Sequence, residues 1–171
     1  MNINTKRLKI REFREDDWRD LWIYSKNEKV MTYIPEGVMS KEAAKEFVEK
    51  NSGEKAENYP IILRENDRLI GHLVFHPYFG DHTYEIGWIM NPAYQRVGYA
   101  SEAAKAILEY GFSELKLHRI IATCQPENKA SFKVMEKIGM RKEGYFKQCI
   151  PHENGWWDEF YYAILADEAQ Q

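Results

Sequence analysis

The chain predicts one α/β domain over residues 1–171, with a central mixed sheet flanked by helices. Three observations carry that expectation. A length of 171 residues matches about one domain at roughly 150 residues each. A composition of 44% hydrophobic, 14% aromatic and 30% charged residues is ordinary for a folded globular protein. Finally, the sequence switches repeatedly between the two-residue period of strands and the 3.6-residue period of helices. At this size about 70% of the unfolded chain's surface is buried on folding, so the core needs no disulfide or metal staple.

Taken in order, residues 7–13 alternate as a strand, with Leu8 and Ile10 on one face. Acidic Glu15, Asp16 and Asp17 then open a helix to about Asn27, where carboxylates suit the positive end of the dipole. Ser40 caps a second helix, in which Ala43, Ala44, Phe47 and Val48 recur at helical spacing until Asn51-Ser52-Gly53 stops it. From Tyr59 the period changes. Residues 60–63, 69–75 and 84–90 describe an antiparallel meander with a turn at Asn66-Asp67. A Gly-containing loop leads into a helix over 101–112, with Ala103, Ala104, Ile107, Leu108 and Gly111 on one face. Residues 119–124 form a continuous apolar strand of the kind covered on both sides. A helix over about 128–138 follows, closed by Gly139. Residues 145–150 and 156–165 make a hairpin around Asn154-Gly155.

Composition also excludes whole function classes. With 24 Lys+Arg against 27 Asp+Glu and a net charge of -3, no basic excess is available for nucleic-acid binding by counterion release. The apolar run at 160–166 is far short of the roughly 20 residues that span a bilayer, so no membrane partner is expected. The N-terminal segment has no signal-peptide pattern, and a cytoplasmic protein is predicted. Of the two cysteines, Cys124 sits in an apolar run and reads as a reduced, buried small hydrophobe.

The stretch that carries chemistry runs from Tyr84 to Ser101: a strand, a short loop, then a helix start. A helix beginning with free backbone N–H groups is an anion site. Gly98 and small Ala100 let phosphate oxygens approach those groups, and Arg96 adds a forked cation. The same glycine is also what a tight strand-to-helix turn requires.

Gln95-Arg96-Val97-Gly98-Tyr99-Ala100 resembles the Q/R-x-x-G-x-G/A signature of the GNAT N-acetyltransferase superfamily. One helix later, residues 128–140 resemble the family's second signature, N-x-x-[AS]-x-x-x-x-E-K-x-G-[FM]. Both occur in the family's order, the surrounding elements match from Arg7 to Leu165, and the ending resembles the branch that includes the ribosomal-protein N-terminal acetyltransferases. The resemblance implies a mostly antiparallel sheet of about seven strands with a V-shaped splay, about four helices, acetyl-CoA as donor and a primary amine as acceptor. By the same resemblance, the backbone of Ile89 and Met90 pairs with the pantetheine arm. Gln95, Arg96, Val97, Gly98, Tyr99, Ala100 and Ser101 hold the pyrophosphate, and Asn128 bonds the pantetheine while also suiting a helix N-cap.

Acetyl transfer needs a neutral amine and a proton for the departing thiolate. Glu85 shares a strand face with Gly87 and Ile89, which should border the acetyl group. It reads either as the base or as a paired structural carboxylate. Many family members place a Tyr before the Glu-Lys pair as the acid; here that position is Met135, which donates no proton. Ser131, one turn earlier, takes that role by resemblance to the ribosomal-protein branch, or else caps its own helix.

Metal chemistry is not indicated, because His72 and His76 on one strand stand roughly 13 Å apart. No G-x-S-x-G elbow supports acyl hydrolysis. The aromatic residues between Trp156 and Tyr162 read as core and strand packing. Trp18, Trp22 and Tyr24 either line an acceptor pocket or cover the sheet. The preferred acceptor is a protein N-terminal α-amine. A polyamine or aminoglycoside-like amine is the nearest alternative, and a non-catalytic acyl-CoA sensor is a third reading. A homodimer through an aromatic sheet edge is compatible with the resemblance.

Overall fold

The computed structural model describes residues 1–152 and 155–169. The strands are β1 (Asn2–Asn4), β2 (Leu8–Arg11), β3 (Asn58–Leu63), β4 (Arg68–Pro77), β5 (Thr83–Met90), β6 (Arg119–Cys124), β7 (Arg141–His152) and β8 (Gly155–Leu165). They form one sheet in the order β1-β2-β3-β4-β5-β6-β8-β7. Every neighbouring pair is antiparallel except β5 and β6. The helices are α1 (Trp18–Ser25), α2 (Glu28–Met31), α3 (Lys41–Lys50), α4 (Tyr99–Ser113) and α5 (Lys129–Lys137).

Two elements exceed the expected seven strands and four helices, namely β1 and α2. At three and four residues neither is long enough to display a period. Asn27 caps α2 by accepting from Lys29 N at 3.0 Å, which ends the helix over 15–27 early. At the C-terminal hairpin, Asn154 lies outside the described residues. Among those residues no helix is long and apolar enough to cross a membrane.

The two sheet faces carry separate cores. One joins Ile86, Ile120 and Tyr162 to Ala103, Ala104 and Ile107 of α4 and Met135 of α5. The other packs Phe13, Leu21 and Tyr24 with Ala44 and Val48 of α3. Along β5, Tyr84, Trp88 and Met90 belong to the first core and Ile89 to the second, so alternation places Glu85 and Gly87 on the α1–α3 face. His72 is buried on that face at 1% exposure, its Nδ1 2.7 Å from the Tyr24 hydroxyl.

The central feature is where β5 and β6 part. Pairing of β4 with β5 runs from Pro77↔Tyr84 to Gly71↔Met90. Pairing of β5 with β6 covers only Thr83↔Arg119, Tyr84↔Ile120 and Glu85↔Ile121. Beyond Glu85 the strands diverge, leaving residues 86–90 without a partner on the β6 side. Close approach of β4 holds β5 in place: a Cβ on Gly71 would stand 2.5 Å from Ile89 O.

Candidate active site

A cavity of about 550 Å³ lies against the end of β5 beyond the point where β6 parts from it. The α4 and α5 side contributes Gln95, Arg96, Gly98, Tyr99, Ala100, Ser101, Asn128 and Ser131. From β5 come Trp88, Ile89 and Met90, and α2 with the residues after it adds Lys29, Val30, Tyr33 and Ile34. Its charged lining residues are Lys29, Arg96, Lys133 and Lys137, with no acid among them. In a protein of net charge -3, that concentration of cations selects an anionic ligand.

The loop into α4 is built on unusual backbone. Arg96 has φ 63° and Gly98 φ 86°, and Gly98 is the N-cap, so α4 starts two residues before the expected Ser101. A β-branched side chain at Gly98 is strained in that conformation. The consequence is a helix of 15 residues whose first amides have no intrahelical acceptor. Gln95 lines the cavity with its side chain already engaged: its Nε2 donates to Met90 O at 3.2 Å, tying the loop to β5. Val97 is half exposed and outside the cavity lining.

Backbone parity on β5 differs from the sequence expectation for Ile89. Asn91 N donates to Ile70 O at 2.9 Å, which makes Gly71↔Met90 a non-hydrogen-bonded pair. Ile89 therefore turns its amide and carbonyl toward His72 on β4, while Trp88 and Met90 present theirs to the open edge. Trp88 and the Met90 amide are thus placed for strand-like bonding to an extended ligand, whereas Met90 O already accepts from Gln95 Nε2.

Asn128 is the N-cap of α5, its Oδ1 accepting from Ser131 N at 3.2 Å, and it also lines the cavity. The Ser131 side chain meets the thiol of Cys124, which burial pushes up to about 11 against that contact, so the thiol stays protonated at neutral pH. Both cysteines are free thiols, Cys124 buried and Cys149 exposed. Met135 is buried at 1% exposure. Glu136 accepts from the Tyr162 hydroxyl at 3.1 Å, which anchors α5 to β8 rather than serving a ligand.

Glu85 stands on the last paired rung before the strands part, outside the cavity lining. Its Oε1 accepts from Thr123 Oγ1 at 3.2 Å, and its Oε2 lies 3.7 Å from His76 Nε2. Thr123 also bonds Glu159. Burial, helped by the nearby Glu85 carboxylate, holds Glu159 above its ordinary value despite that bond. Tyr24 belongs to the α1–α3 core and Trp18 and Trp22 pack against it, their rings also lying under lysine ammonium groups, Lys45 Nζ 4.9 Å from the first and Lys26 Nζ 4.2 Å from the second. None of the three lines the cavity. Within the aromatic segment Tyr162 is buried and Trp156 is exposed, so packing describes only part of it.

Comparison with known proteins meets this geometry at the loop. The family model of the acetyltransferase (GNAT) domain matches residues 7–141. The chain belongs to the GNAT acetyltransferase family. A relative from Bacillus subtilis (strain 168), the uncharacterized N-acetyltransferase YnaD, is 65% identical over 98% of this chain and 99% of its own. A crystal structure of a GNAT-family acetyltransferase from Bacillus anthracis superposes with a TM-score of 0.95 at 61% identity, covering 98% of this chain and 99% of that one. More distantly, the [ribosomal protein uS5]-alanine N-acetyltransferase of Escherichia coli (strain K12) is 30% identical over 51% of this chain and 45% of its own.

This GNAT protein is thus an acetyl-CoA-dependent N-acetyltransferase, and the cavity suits that donor. Four cations, the first amides of α4 and the open edge of β5 all border the cavity. Half of the lining escapes the sequence reading, including Trp88, Lys29, Lys133 and Lys137. The last two were within reach, since Ala130, Lys133, Val134 and Lys137 fall at i, i+3, i+4 and i+7 on α5.

Proposed function

We propose that this GNAT protein acetylates a protein N-terminal α-amine by direct attack on acetyl-CoA in a ternary complex. The observation that carries the reading is the cavity beside the open edge of β5, whose charged lining residues are all basic, with Glu85 on the last rung before the strands part. The neutral amine attacks: its nitrogen forms a bond to the thioester carbon, and the proton it sheds on becoming an amide passes to Glu85 through water. The C–S bond breaks, and the thiolate takes a proton from Ser131, which regains one from solvent as Glu85 releases its own there. A peptide α-amine, with a pKa near 8, is already partly neutral and suits a base set back from the cavity. Glu85 and Glu159 around Thr123 favour a second reading, in which the acceptor is a polycationic small amine drawn to paired carboxylates.

Release of free CoA thiol separates these readings. Peptides with N-terminal Ala or Ser should release thiol faster than spermidine or an aminoglycoside at equal concentration. The reverse order favours the second reading. Tight acetyl-CoA binding with no thiol from any acceptor would make the protein a sensor. Ser131 is tested within the same assay: Ser131→Ala should lower kcat about 100-fold, the lower end of the general-acid range, while the acetyl-CoA Kd changes little. Equal losses in both, or no loss in either, would remove the acid role.

A further inference from the structure

The loop that faces the diphosphate is gripped from behind by a residue far away in sequence. Arg7, in the turn between β1 and β2, does not line the cavity. Its Nη1 donates to Val97 O at 3.0 Å, its Nε donates to Glu102 Oε2 at 2.6 Å, and its guanidinium lies 4.4 Å from the Tyr99 ring centroid. Arg7 N and Thr5 Oγ1 donate to the other carboxylate oxygen of Glu102 at 3.0 and 2.6 Å. The turn itself is fixed, because Arg64 N donates to Arg7 O at 2.9 Å and Arg64 Nη1 to Thr5 O at 2.6 Å.

Two physical consequences follow for ligand binding. A trans peptide holds its carbonyl and the next N–H on opposite sides. Fixing Val97 O on Arg7 therefore turns Gly98 N–H the other way, toward the cavity that Gly98 lines. Furthermore, Glu102 sits in the first turn of α4, where its negative charge would oppose an anion at the same helix end. Arg7 neutralises it. We infer that Arg7, paired with Glu102, is a positioning residue that aims the Gly98 amide at the diphosphate and cancels the one carboxylate in the first turn of α4.

This inference rests on the acetyl-CoA reading of the cavity, and the test keeps the two apart. Acetyl-CoA is titrated calorimetrically into the wild type and the Arg7→Ala and Arg7→Lys variants. S-acetylpantetheine, which carries the thioester arm without the diphosphate, is measured by displacement. Arg7→Ala should weaken acetyl-CoA about tenfold, the scale of one lost charge-assisted hydrogen bond, with S-acetylpantetheine unchanged. Arg7→Lys should recover only part of the loss, because a point charge cannot fork between Val97 O and Glu102. If Arg7→Ala does not fold, the Lys variant alone decides by the same selectivity. Equal weakening toward both probes, or unchanged acetyl-CoA affinity, overturns the positioning role while the donor reading stands. Failure of the wild type to bind acetyl-CoA overturns both.

Discussion

Replacing Glu85 with Gln should lower kcat about 100-fold at pH 7, the lower end of the general-base range, while the acetyl-CoA Kd stays within about twofold. The small change in affinity follows from position: Glu85 lies outside the cavity proposed for the donor. Gln keeps the acceptor oxygen for Thr123, whose hydroxyl bonds Glu85 at 3.2 Å, so the apex of the splay retains its shape. The modest rate loss reflects the acceptor, since an α-amine near pKa 8 supplies some neutral nucleophile without help. The deficit should therefore shrink as pH rises through about 8. A polyamine acceptor, with ammonium groups near pKa 10, would keep the full deficit across that range. Rate profiles from pH 6.5 to 9.5 distinguish the cases. An unchanged kcat at pH 7 would leave Glu85 as a structural carboxylate bound to Thr123 and His76.

Acid sensitivity of the fold should trace to His72. Complete burial, packed among Phe13, Phe47 and Tyr24, lowers its pKa from 6.5 to about 4. Above about pH 6.5 neither state binds the proton, and below about pH 4 both do. Between those limits only the unfolded chain binds it, so stability falls as the pH drops through that window. The full difference is about 3 kcal/mol, a large share of a typical 5–15 kcal/mol total. Denaturant unfolding at pH 7.0 and 4.5 measures it. His72→Gln should have lower stability at pH 7.0 and a visibly flatter loss toward pH 4.5. Parallel losses in the two proteins would assign the acid sensitivity elsewhere.

The order of elements was legible because each long one displays its own period. Ala43, Ala44, Phe47 and Val48 mark α3, and the apolar run 119–124 marks β6. The loop was legible through Gly98, whose φ of 86° is a conformation that residue type announces. Ile89 shows where such reading stops. Which backbone groups face an open edge depends on the hydrogen-bonding register with β4, and no feature of residues 84–90 encodes that parity. Arg7 and Glu102 show a second limit, since their contact spans 95 positions and exists only once β2 and α4 are packed. Lys29 is a third case, brought to the cavity by a four-residue helix too short to carry a signal of its own.

The central claim, that main-chain donors at the start of α4 hold the diphosphate of coenzyme A, is tested most directly by backbone amide NMR during a CoA titration. The account predicts saturable downfield shifts of the Gly98, Tyr99, Ala100 and Ser101 amides, absent when pantetheine replaces CoA. Binding of CoA that leaves those four amides where they were, or no binding by folded protein, would contradict it.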